Sequence, residues 1–149
     1  MAIARDIMRP VTETVRRDAT IKEVAESMLR TGLPGAVIVD EAGRVAGVVL
    51  LDDLVIRGSR PAHLVPELAQ ESVYEVMERF GEESKAAAAL TAAAIMRTDL
   101  PLTTEDTPTV EIANFMADAR VDLIPVVRDG KPIGVVTKLD LLRSIEWPA

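Results

Sequence analysis

Ile7-Met8-Arg9 returns as Ile95-Met96-Arg97, 88 residues further along the chain. The same spacing carries Asp18 onto Asp106, Glu23 onto Glu111, Ala25 onto Ala113 and Met28 onto Met116. Beyond that point the second copy is one residue shorter, so Gly43, Gly47 and Asp53 meet Gly130, Gly134 and Asp140 at a spacing of 87. One offset kept through so many positions identifies two copies of one unit. We divide the 149 residues into a first repeat over 1–58, a linker over 59–92 and a second repeat over 93–149.

Both copies change periodicity in the same order. Thr12 to Val15 reads as a short strand, and Ile21, Val24, Ala25, Met28 and Leu29 then fall at helical spacing. Thr20-Ile21-Lys22-Glu23 fits a capping box, while the second copy sets Thr107 as the cap ahead of Pro108 in the first turn. Ala36 to Val39 and Val45 to Val49 are apolar runs separated by Asp40-Glu41-Ala42-Gly43, the pattern of a hairpin. Its counterpart is Ile124 to Val127, Arg128-Asp129-Gly130 and Ile133 to Thr137. A short helix closes each unit, over 51–57 and 138–145. The order implies an α/β (α+β) fold: two pseudo-symmetric β-α-β-β-α units packed sheet to sheet, since one unit alone cannot cover both faces of its sheet.

In the linker, Val73, Val76, Met77 and Phe80 are spaced as a helix, and the Ala-rich run from Lys85 to Ala94 predicts a second. The pair reads as a connecting helical hairpin or as a dimer seam. Pro61 and Pro66 bracket His63, the single histidine, whose linker position fits a surface residue better than a ligand. Met8, Met28, Met77, Met96 and Met116 read as packing, and Trp147 as a cover for the last helix or a subunit contact.

Composition removes several classes of function. The absence of cysteine excludes disulfides, thiolate metal sites and a thiol nucleophile. A net charge of −7 has the wrong sign for non-specific nucleic-acid binding. No apolar run reaches the ~20 residues of a membrane span, and the N-terminus lacks a signal-peptide pattern. The expectation is a cytoplasmic protein with no nucleic-acid or membrane partner. Asp52-Asp53 could hold a magnesium ion, but adjacent carboxylates at a helix start more often complement its dipole. No nucleophile–base pair is visible, so we expect no enzyme.

The ordered set of Ile-Met-Arg, Asp-Ala-Thr-Ile-x-Glu-Val-Ala, Leu123-Ile124-Pro125-Val126-Val127 and Gly134-Val135-Val136-Thr137-Lys138-Leu139-Asp140 resembles a tandem cystathionine-β-synthase-type (CBS) domain pair, or Bateman module. The resemblance implies a regulatory module that requires no cofactor and binds an adenosine-containing small molecule (AMP, ADP, ATP, S-adenosylmethionine or NAD) in a cleft between the repeats. It further implies a homodimer and a regulated protein partner. Carried over, the family's binding element falls on Gly134, Thr137 and Asp140, the last accepting from ribose hydroxyls, with Ile124 and Pro125 against the adenine. The first copy keeps Gly47 and Asp53 but has Leu50 in place of the hydroxyl residue, and Thr14 stands where the family often has a ligand-facing threonine.

Thr137-Lys138-Leu139-Asp140 is equally a capping box that needs no ligand. Asp122 next to the apolar strand disfavours a triphosphate, so AMP or ADP is preferred over ATP. Lys138, Arg57, Arg60, Arg97 and Arg143 are the candidate phosphate cations, although charges on helices and linkers more often simply face solvent. The competing reading is a ligand-free dimeric interaction scaffold.

Overall fold

The computed structural model describes residues 1–56 and 71–145. The first repeat contains α1 (Ala4–Ile7), β1 (Arg9–Pro10), β2 (Val15–Arg16), α2 (Ile21–Thr31), β3 (Gly35–Val39), β4 (Val45–Leu50) and α3 (Leu51–Val55). After α4 (Val73–Phe80), α5 (Lys85–Ala88) and α6 (Ala92–Ile95) come α7 (Thr109–Ala119), β5 (Leu123–Arg128), β6 (Lys131–Thr137) and α8 (Lys138–Arg143). The strands form two three-stranded sheets, β2-β3-β4 and β1-β6-β5. The α+β class and the packed repeats agree with the periodicity.

Alternation along β3 and β4 explains why these strands are apolar throughout. Ala36, Ile38 and Val49 join Val24 and Met28 of α2 in one core, together with Val73, Val76, Leu90, Ala92 and Ile95. Val37, Val39, Val48 and Leu50 point the other way, into a second core with Leu123, Ile124, Val126 and Val135 of the other repeat. Each sheet is therefore covered on both faces, and the second core joins the repeats.

The local signals act largely as read. Thr20 Oγ1 accepts from the Glu23 N–H at 3.2 Å at the start of α2, and Gly32 ends that helix in the left-handed region. Asp129 and Gly130 both take positive φ, forming the two-residue turn between β5 and β6. In the β3–β4 loop, Asp40 Oδ1 accepts from Ala42 and Arg44 N–H groups.

Three expectations change. The strand starts at Val15 rather than Thr12, because Arg9 and Pro10 pair with Val135 and Gly134 of the other repeat. Residues 11–14 are then used in crossing back to β3. In the second copy Pro108, not Thr107, is the N-cap; Thr107 Oγ1 instead accepts from the Thr104 N–H. The Ala-rich run breaks into α5 and α6, capped by Ser84 and Thr91, whose hydroxyls accept from Ala87 and Ala94. Each hydroxyl competes for backbone donors that a continuous helix would use itself.

The break at Thr91 lets α6 dock onto the first repeat. Ala92 and Ala93 N–H groups donate to the Ala19 and Arg17 carbonyls, both at 2.9 Å. The other half mirrors this: Ala4 and Arg5 donate to Thr107 and Glu105 at 2.8 and 3.0 Å. Each repeat's lead-in segment thus lies on the opposite repeat. Arg97 and Val48 exchange two backbone hydrogen bonds of 2.8 and 2.9 Å, as Arg9 and Pro10 join β6 in the other half.

Gly47 and Gly134 make room for the crossing. A Cβ on Gly47 would lie 2.6 Å from the Arg97 carbonyl oxygen and 2.9 Å from the Met96 side chain. On Gly134 it would lie 2.8 Å from Met8 Sδ and 2.9 Å from the Arg9 carbonyl oxygen. Gly47→Ala and Gly134→Ala should each destabilise the protein by about 1–3 kcal/mol through overpacking. Urea denaturation checks this; an unchanged midpoint for both would contradict it.

Candidate functional site

The lead-in segments bring two buried carboxylates against arginines of the opposite repeat. Asp53, at the start of α3, is 1% exposed and Asp140, in α8, is 3% exposed. Arg97 reaches Asp53 with Nε 3.0 Å from Oδ2 and a terminal nitrogen 2.7 Å from Oδ1. Arg9 reaches Asp140 with Nε 2.8 Å from Oδ1. Arg143 shares that oxygen at 3.0 Å.

The rest of each carboxylate turns to its own helix. Asp140 Oδ2 accepts from the Thr137 N–H at 2.8 Å and the Thr137 hydroxyl at 2.9 Å, while Thr137 Oγ1 accepts from the Asp140 N–H at 3.3 Å. The Thr137/Asp140 set is thus a capping box. In the first copy Asp53 Oδ2 accepts from the Leu50 N–H at 3.2 Å. Leu50 has no hydroxyl, and its side chain enters the core between the repeats, 3.2 Å from where a Cβ on Gly35 would stand.

Burial works against the charged form of Asp140, but the Thr137 and Arg9 hydrogen bonds outweigh it and hold its pKa below the ordinary 3.8. A depressed carboxylate binds fewer protons folded than unfolded. Its stabilising contribution is present above pH 3.8 and is lost as the pH falls through the folded value. Arg97 is shifted upward, chiefly by its hydrogen bonds to Asp53.

The remaining candidates separate in space. Ile124 is fully buried within the core, and Pro125 is buried with its carbonyl accepting from the Thr103 N–H and hydroxyl. Thr14 is exposed on the crossing segment. Gly134 faces Met8 and the Arg9 backbone. Lys138 pairs with Asp122 at 2.9 Å. Arg57, Arg60, His63 and Trp147 lie outside the described residues.

Between the crossing segment, α2 and β3 lies a small cavity of about 20 Å³, lined by Val11, Thr12, Glu13, Ser27, Leu33 and Val37 among others, with Val135 its one residue from the second repeat and none of the candidate residues on its wall. That is room for about one water, whereas ligand sites typically need ~300 Å³ or more. Glu13 tethers this wall to α2 through Arg30, at 3.2 and 3.3 Å. Hydrogen bonds from Ser27 and Arg30 lower the Glu13 pKa. A far larger open groove, about 720 Å³, lies beside Arg16, Arg17, Asp40 and Thr91 and touches none of the candidate residues. Among the described residues no three His, Cys, Asp or Glu are grouped to hold a metal ion, and no helix is long and apolar enough to cross a membrane.

Comparison with known proteins places this geometry. The CBS domain family matches the chain twice, over residues 4–59 and 92–146. The chain belongs to the CBS domain family. The CBS pair is 31% identical over 153 aligned positions to the magnesium transporter MgtE of Thermus thermophilus, covering 98% of this chain and 27% of the transporter. It therefore spans about a quarter of that relative's length. The CBS domain of a CBS-domain-containing membrane protein from Sphaerobacter thermophilus superposes with a TM-score of 0.68 at 32% identity, covering 98% and 89% of the two chains. The CBS domain pair of protein MJ0100, in complex with 5′-methylthioadenosine and S-adenosylmethionine, gives 0.71 at 21% identity, covering 97% and 95%.

From sequence, Arg97 and Arg143 are phosphate cations or solvated charges and Arg9 has no role; the structure instead sets all three on buried carboxylates. The signal was present, since Arg9 and Arg97 end the repeated tripeptide and their partners Asp53 and Asp140 repeat too.

The two ion pairs differ in burial. The Arg97 side chain is 12% exposed and binds both oxygens of its partner, while Arg9 is 36% exposed and shares one oxygen. Arg97→Met should cost about 3–5 kcal/mol because it strands a buried carboxylate. Arg9→Met should cost about 1 kcal/mol, as Arg143 and Thr137 remain with Asp140. Denaturation of both variants reads the difference, and equal losses would contradict it.

Proposed function

We propose that this CBS pair is a non-catalytic regulatory module that binds an adenosine-containing ligand at Asp140. The observation that carries the reading is Asp140 beside Thr137 at the seam between repeats, where an acceptor-only carboxylate suits two ribose hydroxyls. The adenosyl ligands of the MJ0100 domain pair support the same ligand class. AMP or ADP is preferred over ATP, with Asp122 close to Lys138 at the same end of α8.

Binding in this reading requires opening. Among the described residues no cavity reaches Asp140 in the closed arrangement, and a ribose must displace at least one guanidinium from Asp140 Oδ1. Ligand energy spent on this rearrangement is what distinguishes two conformations, and only such a difference transmits a signal to a partner protein. Thr14, Ile124 and Pro125 belong to the proposed cleft as it opens, and Gly134 lets the Met8 segment lie close against β6.

The module is further read as a cytoplasmic homodimer. Leu29 is 83% exposed, and with Leu51, Val55 and Tyr74 it borders a groove of about 340 Å³ over α2, α3 and α4. Such a patch suits a second copy. The occupied carboxylates and the closed cavity favour one other reading, a ligand-free dimeric scaffold.

Thermal unfolding with AMP, ADP, ATP, NAD and S-adenosylmethionine separates the two. At ~100 times its dissociation constant a ligand adds about 2.7 kcal/mol, a rise in Tm of roughly 5–10 °C. The sensor reading expects a rise with one of them that Asp140→Asn abolishes, and sedimentation of the same samples as a dimer. No rise with any ligand overturns it in favour of the scaffold.

A further inference from the structure

Away from the carboxylates, the two halves differ where each lead-in segment meets the opposite repeat. Arg5 and Ala93 are equivalent: each donates its backbone N–H across the seam, to the Glu105 carbonyl at 3.0 Å and the Arg17 carbonyl at 2.9 Å. Glu105 therefore corresponds to Arg17. Val126 pairs with Gly134 as Ile38 pairs with Gly47, so two residues further along each strand Arg128 corresponds to Asp40. In the second half these positions close on one another. The Glu105 carboxylate, 17% exposed, accepts from Arg5 Nε at 3.4 Å and Arg128 Nε at 2.9 Å, and Arg5 reaches on to Asp106 at 3.2 Å.

In the first half the charges are inverted and the bridging arginine is lost. Arg17 stands for Glu105, Asp40 for Arg128 and Ala93 for Arg5. Asp40 turns Oδ1 back to the Ala42 and Arg44 N–H groups of its own loop, and Arg16 pairs with Asp18 at 3.7 Å. Among the described residues the exposed Arg17 guanidinium and Glu41 carboxylate have no side-chain partner. The place that the second half fills with guanidiniums is here the open groove of about 720 Å³, lined by Arg17, Glu41, Ala42 and Ala93 among others.

We propose that this groove docks an exposed segment of a partner protein that carries an acidic and a basic side chain close together, the acid on Arg17 and the base on Glu41. Arg17 holds the hub position that opposite charges satisfy in the other half, and with Ala93 in place of Arg5 the lead-in segment supplies none. The fork of a guanidinium matches an incoming carboxylate through two parallel hydrogen bonds. Glu41 and Asp40 repel a run of acidic residues and attract a cation beside the single acid, which gives the pairing its selectivity. A small molecule needs most of its surface covered, and exposed walls do not provide that. A segment anchored in a larger protein does not need such enclosure. The groove touches neither Asp140 nor Asp53, so docking here is independent of the adenosyl reading.

The experiment is selection of a random heptapeptide phage library on the full chain, followed by titration of a selected peptide into wild type, Arg17→Glu and Ala93→Glu. Ala93→Glu places a carboxylate at the equivalent of Arg5, where it occupies Arg17 in place of the partner. Peptides enriched on wild type should combine an acidic with a basic residue. The selected peptide should bind each variant about tenfold more weakly or worse, and on wild type it should shift the amide resonances of Arg17, Glu41 and Ala93. Melting curves confirm that the variants are folded, and either one alone suffices if the other is not. No enrichment on wild type, enriched peptides of one charge sign only, or undiminished binding to the folded variants overturns the proposal.

Discussion

Neither repeat completes its own structure without the other's lead-in segment. Ala4 and Arg5 bond to the second repeat and Ala92 and Ala93 to the first, and the arginines that follow reach Asp140 and Asp53 across the seam. A carboxylate buried to 1% or 3% exposure without a cation would neutralise or unfold its surroundings. The exchange therefore sets the other features. Glycine is needed at 47 and 134 because the crossing backbone approaches too closely for a Cβ. Val37, Val48 and Leu50 can be apolar because the same crossing holds the second repeat's sheet against them.

The residues that make the seam are also those suited to a ligand. Thr137 and Asp140 cap α8 and secure Arg9, and in the proposed function the same carboxylate accepts from ribose, so stability and the proposed binding draw on one set of oxygens. In the proposed function this overlap would couple occupancy to the way the repeats meet, because a ligand that takes Asp140 alters the hold of the N-terminal segment. In the first repeat the overlap is gone. Leu50 fills the interface and Arg97 binds both oxygens of Asp53.

Much of the fold was legible because the same period changes occur twice. The hairpins, α2 and its Thr20 cap follow from local pattern and turn chemistry. Local pattern missed Thr12 to Thr14, since an alternating segment does not reveal that the chain is crossing between sheets. It missed the break at Thr91, because alanine propensity hides a hydroxyl that caps a new helix. The Thr137/Asp140 capping box was legible, while the arginine that pairs with it was not. Arg9 lies 131 positions from Asp140, and only the matched repeats of arginine and aspartate pointed to that pairing.

The exchanged segments make the two repeats one cooperative body, and residue-resolved hydrogen exchange on Arg97→Ala can show it. Core amides of both repeats, among them Val48 in β4 and Val126 in β5, should lose protection together and by similar free energies. If Val48 loses protection while Val126 and the rest of the second sheet keep wild-type values, the repeats are independent bodies instead.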